Sequence, residues 1–181
     1  MILRKGIPTN SNSNPLAMQY VTLAAVIIFF GFVAHSVRTF GMKGSWSAYA
    51  AMWADKVPLH NMNLWSIVMV VTALLLIPPM IARMDGSPIQ FLGFLVPLYL
   101  GIIGLTPRYQ TDKKQRIVHL IGAAVCLIGF LVLLIWGVGE WKPLVAALGV
   151  SLVIGYASRT LDCYVFWLEM SMAIAATILL L

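Results

Sequence analysis

A chain of 181 residues with 61% apolar side chains, 10% charged ones and a mean hydropathy of +0.92 lies far from soluble domains, in which roughly 25% of residues are charged. That composition excludes an ordinary soluble enzyme and leaves no room for a separate soluble domain. The net charge of +6 does not point to nucleic acid, because the basic residues are scattered through short loops between apolar runs.

Residues 1–15 form a polar N-terminal segment, with Arg4 and Lys5 followed by Thr9-Asn10-Ser11-Asn12-Ser13-Asn14-Pro15. The apolar run that follows is too long for the core of a signal peptide and has no clear small-x-small cleavage site, so it is expected to be a retained first span. Residues 16–181 then read as one transmembrane domain. A hydrocarbon core about 30 Å thick needs about 20 helical apolar residues, and six runs suit it. They are Leu16 to Val37, Leu64 to Ala82, Pro88 to Thr106, Ile117 to Trp136, Pro143 to Ser158, and Tyr164 to Leu181. None shows the period-2 alternation of a membrane barrel, so the expected fold is an all-α, polytopic six-transmembrane-helix bundle.

Local chemistry marks several boundaries. Ser87-Pro88 has the form of an N-cap with proline at the first helical position, and Pro143 suits the first turn of its helix. Pro78-Pro79 and Pro97 fall within apolar runs and should bend them. Ala147, Ser151 and Gly155 recur every fourth residue, as do Ser171 and Ala175 in the last run, and small faces of this kind let neighbouring backbones approach closely. Cys126 and Cys163 fall at different depths and are expected to be free thiols.

The connection from Arg38 to Asn63 is the longest. Trp46, Tyr49 and Trp53, spaced i, i+3, i+7, would line one side of a short interfacial helix between spans one and two and sit in the headgroup layer. A folded loop that caps the bundle with the same rings is the alternative. Loops after spans one, three and five carry Arg38, Lys43, Lys56, Arg108, Lys113, Lys114, Arg116 and Arg159, against Arg4, Lys5, Arg83 and Lys142 on the other side. The richer side is expected to be cytoplasmic, in a bacterial inner membrane, with both termini outside.

The same side collects the groups that could carry chemistry. His35, His60 and His119 belong to it, with Asp55, Asp112, Asp162 and Glu169, whereas Asp85 and Glu140 fall opposite. Glu169 is the sharpest signal, since it stands about five residues inside the last span and an ionisable group there is expensive. Asp162 precedes it by seven residues, which on a continuous helix would give both carboxylates one face, with Arg159 able to pair with Asp162. A hydrogen bond from Glu169 to His35, His119 or a serine is the structural alternative to an acid/base or proton-binding role. Asp112, Arg116 and His119 form an i, i+4, i+7 stripe. Three histidines with carboxylates could hold zinc, although no H-x-x-x-H or H-E-x-x-H pair is present.

Ser45-Trp46-Ser47-Ala48-Tyr49, Asn63-Leu64-Trp65, Gly104-Leu105-Thr106-Pro107 with Asp112, and His119-Leu120-Ile121-Gly122-Ala123 resemble segments of uncharacterised bacterial six-helix membrane families and, remotely, the DRAM-like proteins. The resemblance spans residues 45–123 and implies a six-helix bundle without implying an activity. The chain is more weakly similar to the alkaline ceramidase and adiponectin-receptor hydrolases, which would imply zinc. It departs from them, because that class has seven spans and a late paired-histidine motif and no histidine follows His119 here.

The expected function is a bundle that binds lipid or a partner protein, with no cofactor, in contact with membrane lipids and able to form a homo-oligomer or join a larger complex. A membrane-embedded lipid hydrolase using zinc on His35, His60 and His119, with Asp162 or Glu169, is the second expectation. Proton-coupled transport through Glu169 is the third.

Overall fold

The computed structural model describes residues 14–56, 58–59, 62–139 and 141–181. Seven α-helices account for about three quarters of them, alongside a short antiparallel pairing of Pro58–Leu59 with Met62–Asn63.

Helix α1 (Pro15–Phe40) begins where the Asn14 side chain accepts the Leu16 N–H at 3.1 Å and Pro15 fills the first turn. It stops at Gly41, whose φ of 71° is cheap only for glycine and whose N–H closes onto the Val37 carbonyl. A short helix, α2 (Ala48–Lys56), follows. In α3 (Leu64–Arg83) the Asn63 side chain takes the Ser66 N–H at 2.8 Å and donates to the Ala50 carbonyl, tying the start of α3 to α2. Pro78 and Pro79 lie inside α3, and Pro97 inside α4 (Leu92–Gly104).

Helix α4 starts later than Ser87-Pro88 suggests. The Gln90 N–H bonds to the Ser87 carbonyl and the Leu92 N–H to that of Ile89, so Pro88 occupies the second position of a β-turn and successive turns lead into the helix. Helix α5 (Lys113–Val132) is capped by Asp112, which accepts the N–H groups of Lys114 and Gln115 at 2.8 and 3.2 Å. It continues as one π-helical segment, Leu133–Val138, and ends at Gly139 with φ 71°. Then come α6 (Lys142–Ala157), with Pro143 in its first turn, and α7 (Tyr164–Leu180), joined by a turn in which Arg159 adopts φ 55°.

Two buried clusters mark the two ends of the bundle. Phe29, Phe32, Val33, Trp46, Tyr49, Trp53, Trp65, Met69, Phe166 and Met170 gather at the first end. Met80, Met84, Leu92, Val96, Phe130, Leu133, Leu134, Ala147, Ala175 and Leu179 gather at the second. Helices α3 and α7 therefore run from the first end to the second, α4 returns, and α1 finishes at the first. Successive long helices alternate in direction. Helices α3 and α4 lie closest, because Gly93 faces the Met80 backbone and Gly104 faces Met69 with no side chain between. Ala147, Ser151 and Gly155 of α6 are buried, as are Ser171 and Ala175 of α7, and α6 packs on α7.

The rings of Trp46, Tyr49 and Trp53 turn inward and are almost wholly buried, with Tyr49 and Trp53 on the short helix α2 expected between the first two spans. Trp46 sits on the turn before α2 rather than on the helix. The outward faces of the helices remain apolar: Leu16, Tyr20 and Ile27 on α1, Ile121 and Ile128 on α5, Leu152 and Val153 on α6, and Ile178 on α7 are all exposed.

Candidate functional site

A cavity of about 340 Å³ lies between the two clusters, walled by α1, α3, α4, α5 and α7. Its walls are apolar side chains such as Ala25, Leu76, Val96, Leu100, Ile103 and Phe130, with the flexible thioethers of Met69, Met80 and Met172. Clefts of this kind, apolar with a few polar groups, are the usual form of a small-molecule site.

Glu169 lines this cavity from α7, toward its first end. Its carboxylate accepts the backbone N–H of Trp46 and the hydroxyl of Ser47 at 3.3 Å, both on the turn entering α2. The exposed N–H groups at a helix start and the positive end of its dipole favour a carboxylate there. Phe166 adds a second link, since its N–H donates to the Gly44 carbonyl at 3.0 Å. Among the described residues that line the cavity, Glu169 is the sole carboxylate and none is lysine, arginine or histidine. Trp46 Nε1 and Thr72 Oγ1, from two lining residues, are buried and have no hydrogen-bond partner, sealed behind the wall.

The other expected site residues lie apart. Asp162 is exposed on the turn before α7, which begins only at Tyr164, so it does not share a helical face with Glu169. The structure corrects that expectation because the α6–α7 turn, strained at Arg159, interrupts the helical register. His119, on α5, is buried, stacked on Tyr109 with ring centroids 3.9 Å apart, with Nδ1 2.9 Å from Thr106 Oγ1. Because the Thr106 hydroxyl already donates to the Ile103 carbonyl at 2.8 Å, its oxygen accepts from an Nδ1–H tautomer of His119. Asp112 caps α5 instead of pairing with Arg116, whose guanidinium donates to the carbonyls of Tyr109 and Gln110.

His35 is exposed and stacks on Trp53 at 5.3 Å, beside Lys56, whose ammonium lies over the Phe40 and Trp53 rings. Trp53 in turn donates to Ser36 Oγ at 2.9 Å. His60 lies outside the described residues. Among the described residues no three histidine, cysteine or acidic side chains are grouped so as to hold a metal ion. Both cysteines are free thiols. Tyr49 donates from its hydroxyl to the Gly41 carbonyl at 2.9 Å, and burial raises its pKa above the usual phenol value.

No family model, curated protein or solved structure matches the chain.

The sequence singles out Glu169 but not the cavity beside it. A serine was among its expected partners, and Ser47 is that partner. The backbone N–H of Trp46 leaves no trace in residue identity, and the cavity depends on how α7 seats against α1 and α3.

Proposed function

We propose that the chain is a six-span integral membrane protein that holds the apolar portion of a membrane molecule in the cavity beside Glu169. Three helices are long and apolar enough to cross a bilayer: α1, α3, and α5 with its π-helical continuation to Trp136. The remaining spans are α4, α6 and α7, with 13, 16 and 17 residues. At about 1.5 Å per residue these reach roughly 20 to 26 Å, short of a core of about 30 Å. The turns before and after α4 lengthen its apolar path, and local thinning of the bilayer accommodates the rest.

Exposed apolar faces on every long helix support immersion in lipid, because in water each such side chain left uncovered forgoes about 1.5 to 3 kcal/mol. The observation that carries the binding role is the cavity itself, at mid-bundle, with apolar walls and a single carboxylate. An apolar cleft of this size in a bundle surrounded by lipid favours an apolar occupant.

The test is photolabelling of the purified chain, in uncharged maltoside micelles, with hexadecanol carrying a diazirine in its tail. Attachment to Leu100 or Ile103, reduced at least fivefold by the cavity-filling substitution Ala173→Phe, is expected. Labelling confined to outward residues such as Ile128 and Leu152 would refute cavity binding.

A further inference from the structure

We infer that the cavity selects an amphiphile with an ammonium head, which sits against Glu169 and the rings of Phe29, Phe30 and Trp46 while its tail occupies the apolar remainder. The inference rests on the binding role proposed above and names the class of ligand.

Three observations converge. First, the carboxylate has no counter-ion, since among the described residues no basic side chain lines the cavity. Its hydrogen bonds come from neutral donors, the Trp46 N–H to one oxygen and the Ser47 hydroxyl to the other, with the Ser47 N–H also directed at the carboxylate. A carboxylate offers about four acceptor sites, so capacity remains for a ligand. Second, aromatic rings meet at that end of the cavity. Phe29 packs edge-on to Phe30 at 5.3 Å and to Trp46 at 5.4 Å, all three line the cavity, and Trp46 is the residue that holds Glu169. Ring faces attract alkylated ammonium groups, most strongly where water is excluded. Third, the remaining wall offers apolar surface, the Cys126 thiol and isolated hydroxyls, which suits a hydrocarbon tail and supplies no cationic partner for an anionic head.

The alternative occupants fit less well. An anionic amphiphile would place like charges together in a poorly screened site. A neutral alcohol would gain a hydrogen bond to the carboxyl group but no ion pair. The chain's net charge of +6 repels cations at long range, so any preference for one must come from this local arrangement.

The experiment compares diazirine-tailed hexadecanol with its trimethylammonium counterpart, which has the same tail, on the full chain in uncharged maltoside micelles. The ammonium probe is expected to label the cavity residues at a concentration at least tenfold lower than the alcohol. Glu169→Gln keeps an acceptor for the Trp46 N–H and removes the charge, and should bring the two probes within twofold. Phe29→Leu should cut the ammonium advantage at least threefold, which decides the matter if the Glu169 variant elutes as aggregate. Equal labelling of the native chain by both probes, or an advantage that survives in both variants, overturns the ammonium preference while leaving cavity binding intact. Labelling by neither overturns both.

Discussion

The carboxylate of Glu169 on α7 accepts the backbone N–H of Trp46, 123 positions earlier in the chain, and through it fastens the last helix to the turn entering α2. Replacing Glu169 with leucine leaves the Trp46 N–H and the Ser47 hydroxyl without that acceptor in an apolar setting, at a cost of about 1–3 kcal/mol. The expected result is a lower unfolding temperature in detergent and faster tryptic cleavage at Lys43 in the adjoining loop. Glu169→Gln should stay nearer the native values. Native stability and native cleavage in the leucine variant would show that this contact does not hold the turn.

Close packing of α3 on α4 makes a second, opposed pair of expectations. A Cβ on Gly104 would fall directly onto Met69 Cβ, whereas one on Gly101 would meet Ala73 Cβ at an ordinary 3.4 Å. Gly104→Ala should therefore destabilise by about 1–3 kcal/mol through overpacking. Gly101→Ala should be neutral or gain up to about 1 kcal/mol from helix propensity. Thermal unfolding of both in one detergent checks the contrast, and equal effects would contradict the α3–α4 register.

Thr106 joins the end of α4 to α5 by accepting from His119 while donating to Ile103. Thr106→Val keeps the volume and orphans the buried imidazole N–H, which should cost about 1–3 kcal/mol in unfolding experiments. The same substitution should shift the His119 ring resonances, because the Nδ1–H tautomer loses its acceptor. Unchanged resonances would show that no hydrogen bond joins Thr106 to His119.

Cys163 stands just before α7, and its thiol pKa is raised, first by burial and then by the charge and hydrogen bond of Asp162. A raised pKa means less thiolate at a given pH, so alkylation by maleimide at pH 8 should be slower than for a free cysteine and should climb at higher pH. Asp162→Asn removes the charge and should speed the reaction at pH 8. No change in rate on that substitution would remove Asp162 from the account.

How far residue identity alone reaches is clear from particular elements. The long apolar runs locate α1, α3 and α5 closely, because a helix that is apolar on its outward as well as its inward face shows in the sequence as length and continuous apolarity. The start of α4 is misplaced because Ser87-Pro88 has the same residue types whether it opens a helix or a β-turn, and only the Ser87–Gln90 hydrogen bond distinguishes them. Spacing groups Trp46, Tyr49 and Trp53 on one side but cannot orient that side, since lipid and protein core are both apolar. Glu169 stands out as a charge in an apolar run. Its partner is a backbone N–H, invisible to composition, and the supposed companion Asp162 is separated from it by a turn that a seven-residue spacing cannot reveal.

The central claim, a bundle whose long helices cross the bilayer in alternating directions around a lipid-accessible cavity, is tested most directly by cysteine accessibility in sealed vesicles. With Cys126 and Cys163 replaced by serine, single cysteines are placed at Thr111 and Thr160, at Asp85, and on the outward mid-helix positions Ile27, Ile128 and Val150. An impermeant maleimide should label Thr111 and Thr160 from one side and Asp85 from the other, and should leave the mid-helix positions unlabelled from both. Free labelling of Ile128 or Val150, or labelling of Thr111 and Asp85 from the same side, would contradict it.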